Sequence, residues 1–275
     1  MTIGIVGLGL MGGSMGLALK AKESTLKILG YDLNEEHAHE ALKLGLVDRI
    51  ASFEEIKKAD IIVLATPVEA VIRITQELEN IDSLTTIIDL GSTKEKIVSS
   101  IPPSIRKNFV AAHPMAGIEK FGPKAAFAEL FQNHIVVLCN IEESGSIQQE
   151  RSEWLFQTIG MEIVYMDARA HDLHAAYISH LPHAISYALA NSVLKQEDPK
   201  SILILAAGGF RDMSRIAKSS PQMWSDIFKQ NRENLLLSLD AFEKEVTKAR
   251  EMIEKEKWKE LEAWMENATT LHKIL

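Results

Sequence analysis

The chain opens, after its first residue, with Thr2-Ile-Gly-Ile-Val-Gly-Leu-Gly-Leu-Met-Gly-Gly13, a short apolar run that leads into the spacing Gly-x-Gly-x-x-Gly. A strand that enters this turn and is followed by a helix is the context in which the motif binds the pyrophosphate of a dinucleotide. Gly7 permits the tight turn, Gly9 lets the backbone approach the pyrophosphate, and Gly12 allows the helix to pack closely on the strand. Unpaired N–H groups at the start of that helix would face the phosphates.

An acidic residue completes the motif and indicates which dinucleotide binds. Asp32 lies twenty residues after Gly12, at the end of a second apolar run. A carboxylate there accepts hydrogen bonds from the ribose hydroxyls and repels a 2′-phosphate, so the sequence favours NAD over NADP. The alternative is a glycine-rich turn that binds no ligand. The expected cofactor site consists of Gly7, Leu8, Gly9, Leu10, Met11, Gly12, Asp32, Thr66, Pro67 and Ser92.

The bulk composition is that of an ordinary globular protein with one large or two average domains. Of 275 residues, 46% are hydrophobic and 25% charged, and the formal net charge is −8. The negative charge argues against nonspecific binding to nucleic acid or to an anionic membrane, and no apolar run has membrane-spanning length. Cys139 lies in an apolar run and is expected to be buried, without a redox role. Because a strand begins at residue 2, we expect no leader sequence and a cytoplasmic location.

The first half of the chain alternates short apolar runs with helical segments. This alternation predicts right-handed crossovers and an α/β fold with a doubly wound, Rossmann-type parallel sheet, in which the later strands include antiparallel ones. Asn34 is expected to cap the second helix and Gly45 to end it. The predicted strands cover residues 3–6, 27–31, 60–65, 86–90, 109–112, 134–138 and 162–166.

The second half has no strand pattern and is predicted to be an all-α domain. One expected helix covers residues 170–195 and contains Pro182, and two long helices are expected over residues 222–243 and 245–270. Residues 198–217 are expected to form shorter helical pieces around Gly208-Gly209. These helices are too few to bury all their apolar positions, so we expect a second copy of the chain to cover them in a homodimer. The predicted division is an NAD-binding domain over residues 1–167 and a substrate-binding and dimerisation domain over residues 168–275.

Three polar segments follow predicted strands at the edge where open α/β sheets bind ligands. Ser92 and His113 would therefore lie near the nicotinamide. Each has a structural alternative, because Ser92 or Thr93 could cap the next helix and His113 could be a histidine with a purely structural hydrogen bond. The three segments are Thr66-Pro67, Gly91-Ser92-Thr93-Lys94 and His113-Pro114-Met115-Ala116-Gly117.

Histidines interrupt the apolar helix of the second half. His180 and His183 are three residues apart, in Ser179-His180-Leu181-Pro182-His183, and so lie on one helical face. A metal site would need further ligands, for which His171 and His174 are available. The sequence has no HExxH-type pattern and no paired cysteines, so we expect no metal.

A pair of glycines precedes two arginines in Gly208-Gly-Phe-Arg-Asp-Met-Ser-Arg215. Guanidinium groups presented in this way can bind carboxylates in bidentate fashion. The alternative is a surface loop whose arginines pair with glutamates of nearby helices.

Together these segments resemble the prephenate/arogenate dehydrogenase family of tyrosine biosynthesis. The resemblance implies an NAD-dependent enzyme that removes hydride from C4 and CO₂ from C1 of a cyclohexadiene, which thereby becomes a phenol. It also implies the stand-alone form, without a fused chorismate mutase domain. The matching pieces keep the family's order along nearly the whole chain: residues 7–14, 65–67, 89–94, 112–117, 179–183, 208–215 and 221–224.

The resemblance also implies roles for individual residues. His113 would accept the hydrogen bond or proton of the C4 hydroxyl, and Ser92 would hydrogen-bond that hydroxyl or His113. Arg215 would hold a substrate carboxylate, and His183 would face the pyruvyl side chain. Asp212 and Trp224 are expected to complete the site from the partner subunit. The remaining implied substrate contacts are Ser179, His180, Gly208 and Gly209.

Other functions fit parts of the pattern. A β-hydroxyacid-type dehydrogenase shares the glycine-rich opening but expects a lysine in the helix where this chain has His180 and His183. A non-catalytic NAD-binding protein would not need Ser92, His113 and Arg215 together. Arogenate differs from prephenate by an amino group, and residues 179–183 include no acid to pair with an ammonium, which favours prephenate.

Overall fold

A computed structural model describes residues 1–274 and centres on one eight-stranded sheet. The strand order is β3-β2-β1-β4-β5-β6-β7-β8, and neighbouring strands are parallel except for the antiparallel pair β6 and β7. The prediction of a doubly wound, Rossmann-type sheet with antiparallel pairing late in the chain is therefore confirmed. The strands are β1 Thr2–Val6, β2 Lys27–Tyr31, β3 Arg49–Ile50, β4 Ile61–Leu64, β5 Thr86–Asp89, β6 Phe109–Pro114, β7 Ile135–Cys139 and β8 Glu162–Met166.

Helices cover both faces of this sheet, as its nearly continuous apolar strands require. Neighbouring strand residues point to opposite faces, so Phe109 packs in one apolar layer and Val110 in the other. Asn34 accepts hydrogen bonds from two backbone N–H groups at the start of α2, and Gly45 follows its end with φ of +69°, as predicted. Cys139 is buried. The helices are α1 Leu10–Lys22, α2 Glu35–Lys43, α3 Phe53–Ile56, α4 Val68–Glu77, α5 Glu95–Ser100 and α6 Ser146–Thr158.

Every element from Ala168 to Lys273 is helical. The helix predicted over residues 170–195 contains one turn of π-helix, Ala176–His180, before Pro182, whose missing N–H cannot bond to the preceding turn. Such wide turns are frequent at functional sites. The helices are α7 Ala168–Ala175, α8 Leu181–Leu194, α9 Pro199–Ile204, α10 Gly208–Arg215, α11 Pro221–Gln230, α12 Arg232–Glu254 and α13 Trp258–Thr269.

The predicted break near residue 244 is wrong, because α12 continues through it. The helical path is interrupted instead at Asn231, whose side chain bonds to other helices, and at Glu256, which has φ of +53°. The first break, at Asn231, thus coincides with side-chain contacts between helices. No local sequence pattern predicted a break at this position.

Large apolar side chains remain exposed on the helical half. Their exposed fractions reach 81% for Ile204 and 83% for Leu205, beside α9, and 57% for Leu237 on α12. Contiguous exposed apolar surface is typical of a protein–protein interface. Within residues 1–274 no helix is both long and apolar enough to cross a membrane.

Candidate active site

The glycine turn after β1 has the shape of a phosphate cradle. Gly7 has φ of +91°, and a Cβ there would lie 2.5 Å from the carbonyl oxygen of Ala65. A Cβ on Gly12 would lie 1.9 Å from the carbonyl oxygen of Gly7, so α1 packs against the turn only because that atom is missing. A Cβ on Gly9, by contrast, would have no neighbour within 4 Å. The open space beside Gly9, at the start of α1, fits a pyrophosphate.

Asp32 directly follows β2, beside this turn, and is held in place by it. Its Oδ2 accepts a hydrogen bond of 2.7 Å from the Leu8 N–H, and its Oδ1 accepts one of 2.8 Å from the Asn34 N–H. A carboxylate oxygen has two lone pairs, so both oxygens can still accept a ribose hydroxyl. The His37 Nδ1 lies 3.9 Å from the same carboxylate. The residues needed for a ribose contact are therefore in position.

Ser92 and Thr93 do not cap α5, which removes the structural alternative for Ser92. The carboxylate of Asp172, on α7, accepts hydrogen bonds from the N–H groups of Lys94 and Glu95, at 2.8 and 2.9 Å. Thr93 donates to the side chain of Gln230 at 3.1 Å. The Ser92 hydroxyl is half-buried and makes no hydrogen bond to any residue of the described chain.

A fully buried ion pair supports the same edge of the sheet. The Lys94 ammonium is paired with Asp89, at the end of β5, and also donates to the carbonyl oxygen of Ala112 at 2.7 Å. Burial raises the pKa of Asp89, and the Lys94 charge opposes that shift. An unpaired buried charge would be costly, so the pair ties the ends of β5 and β6 together. Ala112 immediately precedes His113, whose position this contact fixes.

His113 ends β6 and is half-buried. Its Nδ1 lies 2.8 Å from Nε2 of His171, and Nδ1 of His171 lies 2.8 Å from Oδ1 of Asp172. We call these three residues the imidazole–carboxylate chain. Burial, together with the neighbouring His171, Lys94 and His180, holds the pKa of His113 well below 6.5. The ring is therefore neutral at pH 7 and can accept a proton.

In the sequence His171 stood out only as a possible metal ligand, and Asp172 was not predicted to take part in the site. Both are buried and bonded to protein groups. No group of three or more His, Cys, Asp or Glu side chains within residues 1–274 is placed to hold a metal ion. The sequence pattern that could have indicated these two residues is a histidine next to an acid at the start of a helix, and this pattern is weakly specific.

His180 and His183 lie on one helical face, as predicted, and that face packs on Trp224. The His183 ring stacks on the indole with ring centroids 3.5 Å apart, and its Nδ1 bonds to the Ser179 carbonyl oxygen at 2.9 Å. Asn231 donates to Nδ1 of His180 at 3.1 Å and to the Asp172 carbonyl oxygen at 2.6 Å. Burial lowers the pKa of both histidines, to about 4 for His180.

Trp224 belongs to the same subunit as the His183 on which it stacks, and only 6% of it is exposed. Within the single subunit Trp224 therefore lies on the helical face that carries His180 and His183. Its contribution to the site of a partner subunit stays a prediction. Its buried Nε1–H has no hydrogen-bond partner within residues 1–274. A buried donor of this kind is available to a polar ligand atom.

The second arginine of α10 reaches the loop that follows β6. Arg215 forms an ion pair with Glu119, six residues after His113, and 57% of the arginine side chain is exposed. The other predicted contacts on α10 are not brought to His113 in the single subunit. Gly208, Gly209 and Asp212 are exposed, and a Cβ on either glycine would have no neighbour within 4 Å.

Comparison with known proteins identifies the family of the chain. Residues 15–165 match the family model "Prephenate dehydrogenase, nucleotide-binding domain", and residues 167–267 match "Prephenate dehydrogenase, dimerization domain". The prephenate dehydrogenase of Bacillus subtilis (strain 168) is 38% identical, covering 93% of this chain and 71% of the relative. The cyclohexadienyl dehydrogenase of Zymomonas mobilis is 34% identical, covering 91% of this chain and 88% of the relative.

A solved structure is similar over the whole length. It is a prephenate dehydrogenase from A. aeolicus in complex with hydroxyphenyl propionate and NAD⁺, with 32% identity and a TM-score of 0.92, covering 99% of this chain and 97% of that one. Family models match far more than half of the chain and relatives above 30% identity cover most of it, so the chain belongs to the prephenate dehydrogenase family.

Proposed function

We propose that this chain catalyses the NAD-dependent oxidative decarboxylation of prephenate to 4-hydroxyphenylpyruvate, a step of tyrosine biosynthesis. The observation that carries the proposal is His113, a neutral imidazole near the carboxyl end of β6, at the same edge of the sheet as the dinucleotide cradle after β1. The related A. aeolicus enzyme binds NAD⁺ together with hydroxyphenyl propionate. This ligand shares the hydroxyphenyl ring of the proposed product, 4-hydroxyphenylpyruvate, and its side chain is similar.

The turn after β1 holds NAD⁺ in this proposal. The open space at Gly9 and the N–H groups of α1 suit its pyrophosphate, and Asp32 suits a ribose with free hydroxyls. The expected contacts along the rest of the cofactor are Leu8, Leu10, Met11, Thr66, Pro67 and Ser92. When bound, NAD⁺ supplies the acceptor for the hydride.

His113 manages the proton of the reaction. Nε2 is the ring nitrogen not engaged by His171, and it accepts the proton of the C4 hydroxyl while hydride leaves C4. The C1–carboxylate bond then breaks, CO₂ leaves, and the bonding electrons complete the aromatic ring. The resulting phenolate takes the proton back from His113. Ser92 hydrogen-bonds the same oxygen in this proposal, because its hydroxyl makes no hydrogen bond within residues 1–274.

The helical half binds the acidic parts of the substrate. Arg215 releases its ion pair with Glu119 and binds a substrate carboxylate instead. His183 faces the pyruvyl side chain with Nε2, because its Nδ1 is bonded to the carbonyl oxygen of Ser179. His180 and the unsatisfied Trp224 Nε1–H complete this end of the site. Gly208, Gly209 and Asp212 are exposed in the single subunit, and we propose that they contribute across a subunit interface.

We also propose a homodimer, built on the helical residues 168–275, with the NAD-binding domain covering residues 1–167. The exposed apolar side chains beside α9 and on α12 support this, as does the match of residues 167–267 to a dimerization-domain model. A cytoplasmic location stays a prediction.

Purified protein with NAD⁺ and either prephenate or arogenate tests the activity through the absorbance of NADH. We expect kcat/KM to be about 5- to 150-fold higher for prephenate than for arogenate, because an ammonium bound without a carboxylate partner costs about 1–3 kcal/mol. Equal or better use of arogenate would overturn the choice of substrate. If neither prephenate nor arogenate yields NADH, the proposed activity is contradicted.

Replacement of Asp32 by alanine is expected to relax the discrimination against NADP⁺. The ratio of kcat/KM for NAD⁺ to that for NADP⁺ should fall by about tenfold or more, since one charge-assisted hydrogen bond contributes about 1.5–3 kcal/mol. Kinetic titration of both cofactors measures the ratio. Asp32→Asn is the matched control, because it removes the charge but keeps an acceptor for the Leu8 N–H. An unchanged ratio in both variants contradicts the ribose contact.

A further inference from the structure

We propose that His171 and Asp172 are positioning residues that place the proton of His113 on Nδ1 and leave Nε2 bare to act as the base. This inference rests on the proposed function for the role of His113. It assigns a task to two buried polar residues that neither the cofactor site nor the expected substrate contacts require.

The imidazole–carboxylate chain joins three elements. Asp172 receives the N–H groups of Lys94 and Glu95 at the start of α5, and it contacts Nδ1 of His171. His171 in turn contacts Nδ1 of His113, at the end of β6. The exposed fractions are 3% for His171 and 2% for Asp172, so water does not compete for these hydrogen bonds.

The order of the proton positions follows from the chemistry of the groups. An ionised carboxylate only accepts hydrogen bonds, so Nδ1 of His171 must donate to Asp172. In the neutral ring, Nε2 of His171 is then an acceptor, and Nδ1 of His113 must donate to it. Nε2 of His113 is left without a proton, which is the state that a general base needs.

The imidazole–carboxylate chain also compensates the positive charge that His113 acquires. When Nε2 accepts a proton, the ring becomes a cation, which burial and the charge of Lys94 disfavour, as the lowered pKa of His113 reflects. Asp172 is the carboxylate that this cation can reach through the hydrogen bonds of His171. Its charge therefore stabilises the protonated form.

Capping of α5 does not explain the arrangement. A cap requires the carboxylate of Asp172 and the N–H groups of Lys94 and Glu95. It requires neither the burial of His171 nor the use of both ring nitrogens of His171 between Asp172 and His113.

Two substitutions at His171 separate proton placement from packing. His171→Gln offers a carbonyl oxygen that can accept from Nδ1 of His113, whereas His171→Leu fills similar volume without an acceptor. We expect kcat with prephenate to fall by about 10²–10⁴-fold in His171→Leu, the range seen when a base loses its orienting partner. His171→Gln should retain at least about tenfold more activity, and KM for NAD⁺ should be unchanged in both.

Asp172→Asn tests the charge. The amide oxygen can still accept from His171 and Lys94, but the negative charge is gone. Protonated His113 is then less stable. In the pH profile of kcat/KM, the acid limb should therefore move to lower pH, and the plateau should be lower than in the wild type. A residue that only caps α5 would not move this limb.

The ¹⁵N chemical shifts of the His113 ring in the full-length wild type give a readout that does not need turnover. We expect a protonated Nδ1 and a bare Nε2, and a mixture of both forms in His171→Leu. A wild-type ring protonated on Nε2 would overturn the proposal, as would equal kcat for His171→Gln and His171→Leu or an unmoved acid limb in Asp172→Asn. Absence of prephenate oxidation by the wild type would instead defeat the proposed function, and the ¹⁵N shifts would still decide the proton placement.

Discussion

Replacement of His113 by asparagine is expected to lower kcat with prephenate by about 10²–10⁴-fold, the contribution typical of a positioned general base. Asparagine keeps a polar side chain at the end of β6 but has no nitrogen that accepts a proton near neutral pH. The cradle at Gly9 and the carboxylate of Asp32 lie on other strands. We therefore expect the Kd for NAD⁺ to stay within about twofold of wild type, well under 1.4 kcal/mol.

Steady-state kinetics and an equilibrium titration of NAD⁺ measure the two quantities separately. His174→Asn is the matched control, because it makes the same substitution at an exposed histidine on α7, three residues from His171. It should leave both kcat and the Kd for NAD⁺ unchanged. Near-normal turnover in His113→Asn would remove His113 from the reaction.

Replacement of Arg215 by alanine is expected to raise KM for prephenate by about 30- to 5,000-fold, because loss of one partner of a charge pair that the bound substrate buries costs about 2–5 kcal/mol. Arg215 is paired with Glu119, and 57% of its side chain is exposed. An ion pair as exposed as this one contributes only about 0–1 kcal/mol. Breaking the ion pair between Arg215 and Glu119 therefore costs little free energy. Most of the free energy gained when Arg215 binds the substrate carboxylate is retained.

The control for Arg215→Ala is Arg211→Ala on the same helix. The Arg211 side chain is exposed and donates to the carbonyl oxygen of Ala206, so its loss should leave KM within about threefold of wild type, below 1 kcal/mol. Initial rates at varied prephenate and saturating NAD⁺ measure both variants. Equal KM values for the two variants would show that Arg215 holds no substrate carboxylate.

Local sequence patterns predicted most of the first half of the fold. The run from Thr2 to Val6 and the glycines after it are a strand and a turn with positive φ, and Asn34 and Gly45 bound α2 as expected. These predictions succeeded because each depends on a few neighbouring residues and on a repeat of two or 3.6 residues. The two-residue strand β3 was missed because two residues show no alternation.

The helical half was predicted less well, for a different reason. The break at Asn231 comes from a side chain that bonds to Asp172 and His180, far away in the sequence. The π-helical turn before Pro182 was likewise not visible in the apolar pattern of residues 170–195. The stacking of Trp224 on His183 of its own chain was also not visible in the sequence, because the two residues lie in different helices.

The sequence by itself determined the dinucleotide turn, the acid that follows it, the apolar strands and the family, since all of these are encoded in short stretches of neighbouring residues. Only the tertiary structure decided that Asp172 caps α5 and contacts His171, and that His171 contacts His113, which is fifty-eight residues away. The physical reason is that hydrogen-bond direction and proton position depend on distances of a few ångströms between β6, α5 and α7. Those distances are set by packing of the whole core and not by any spacing along the chain.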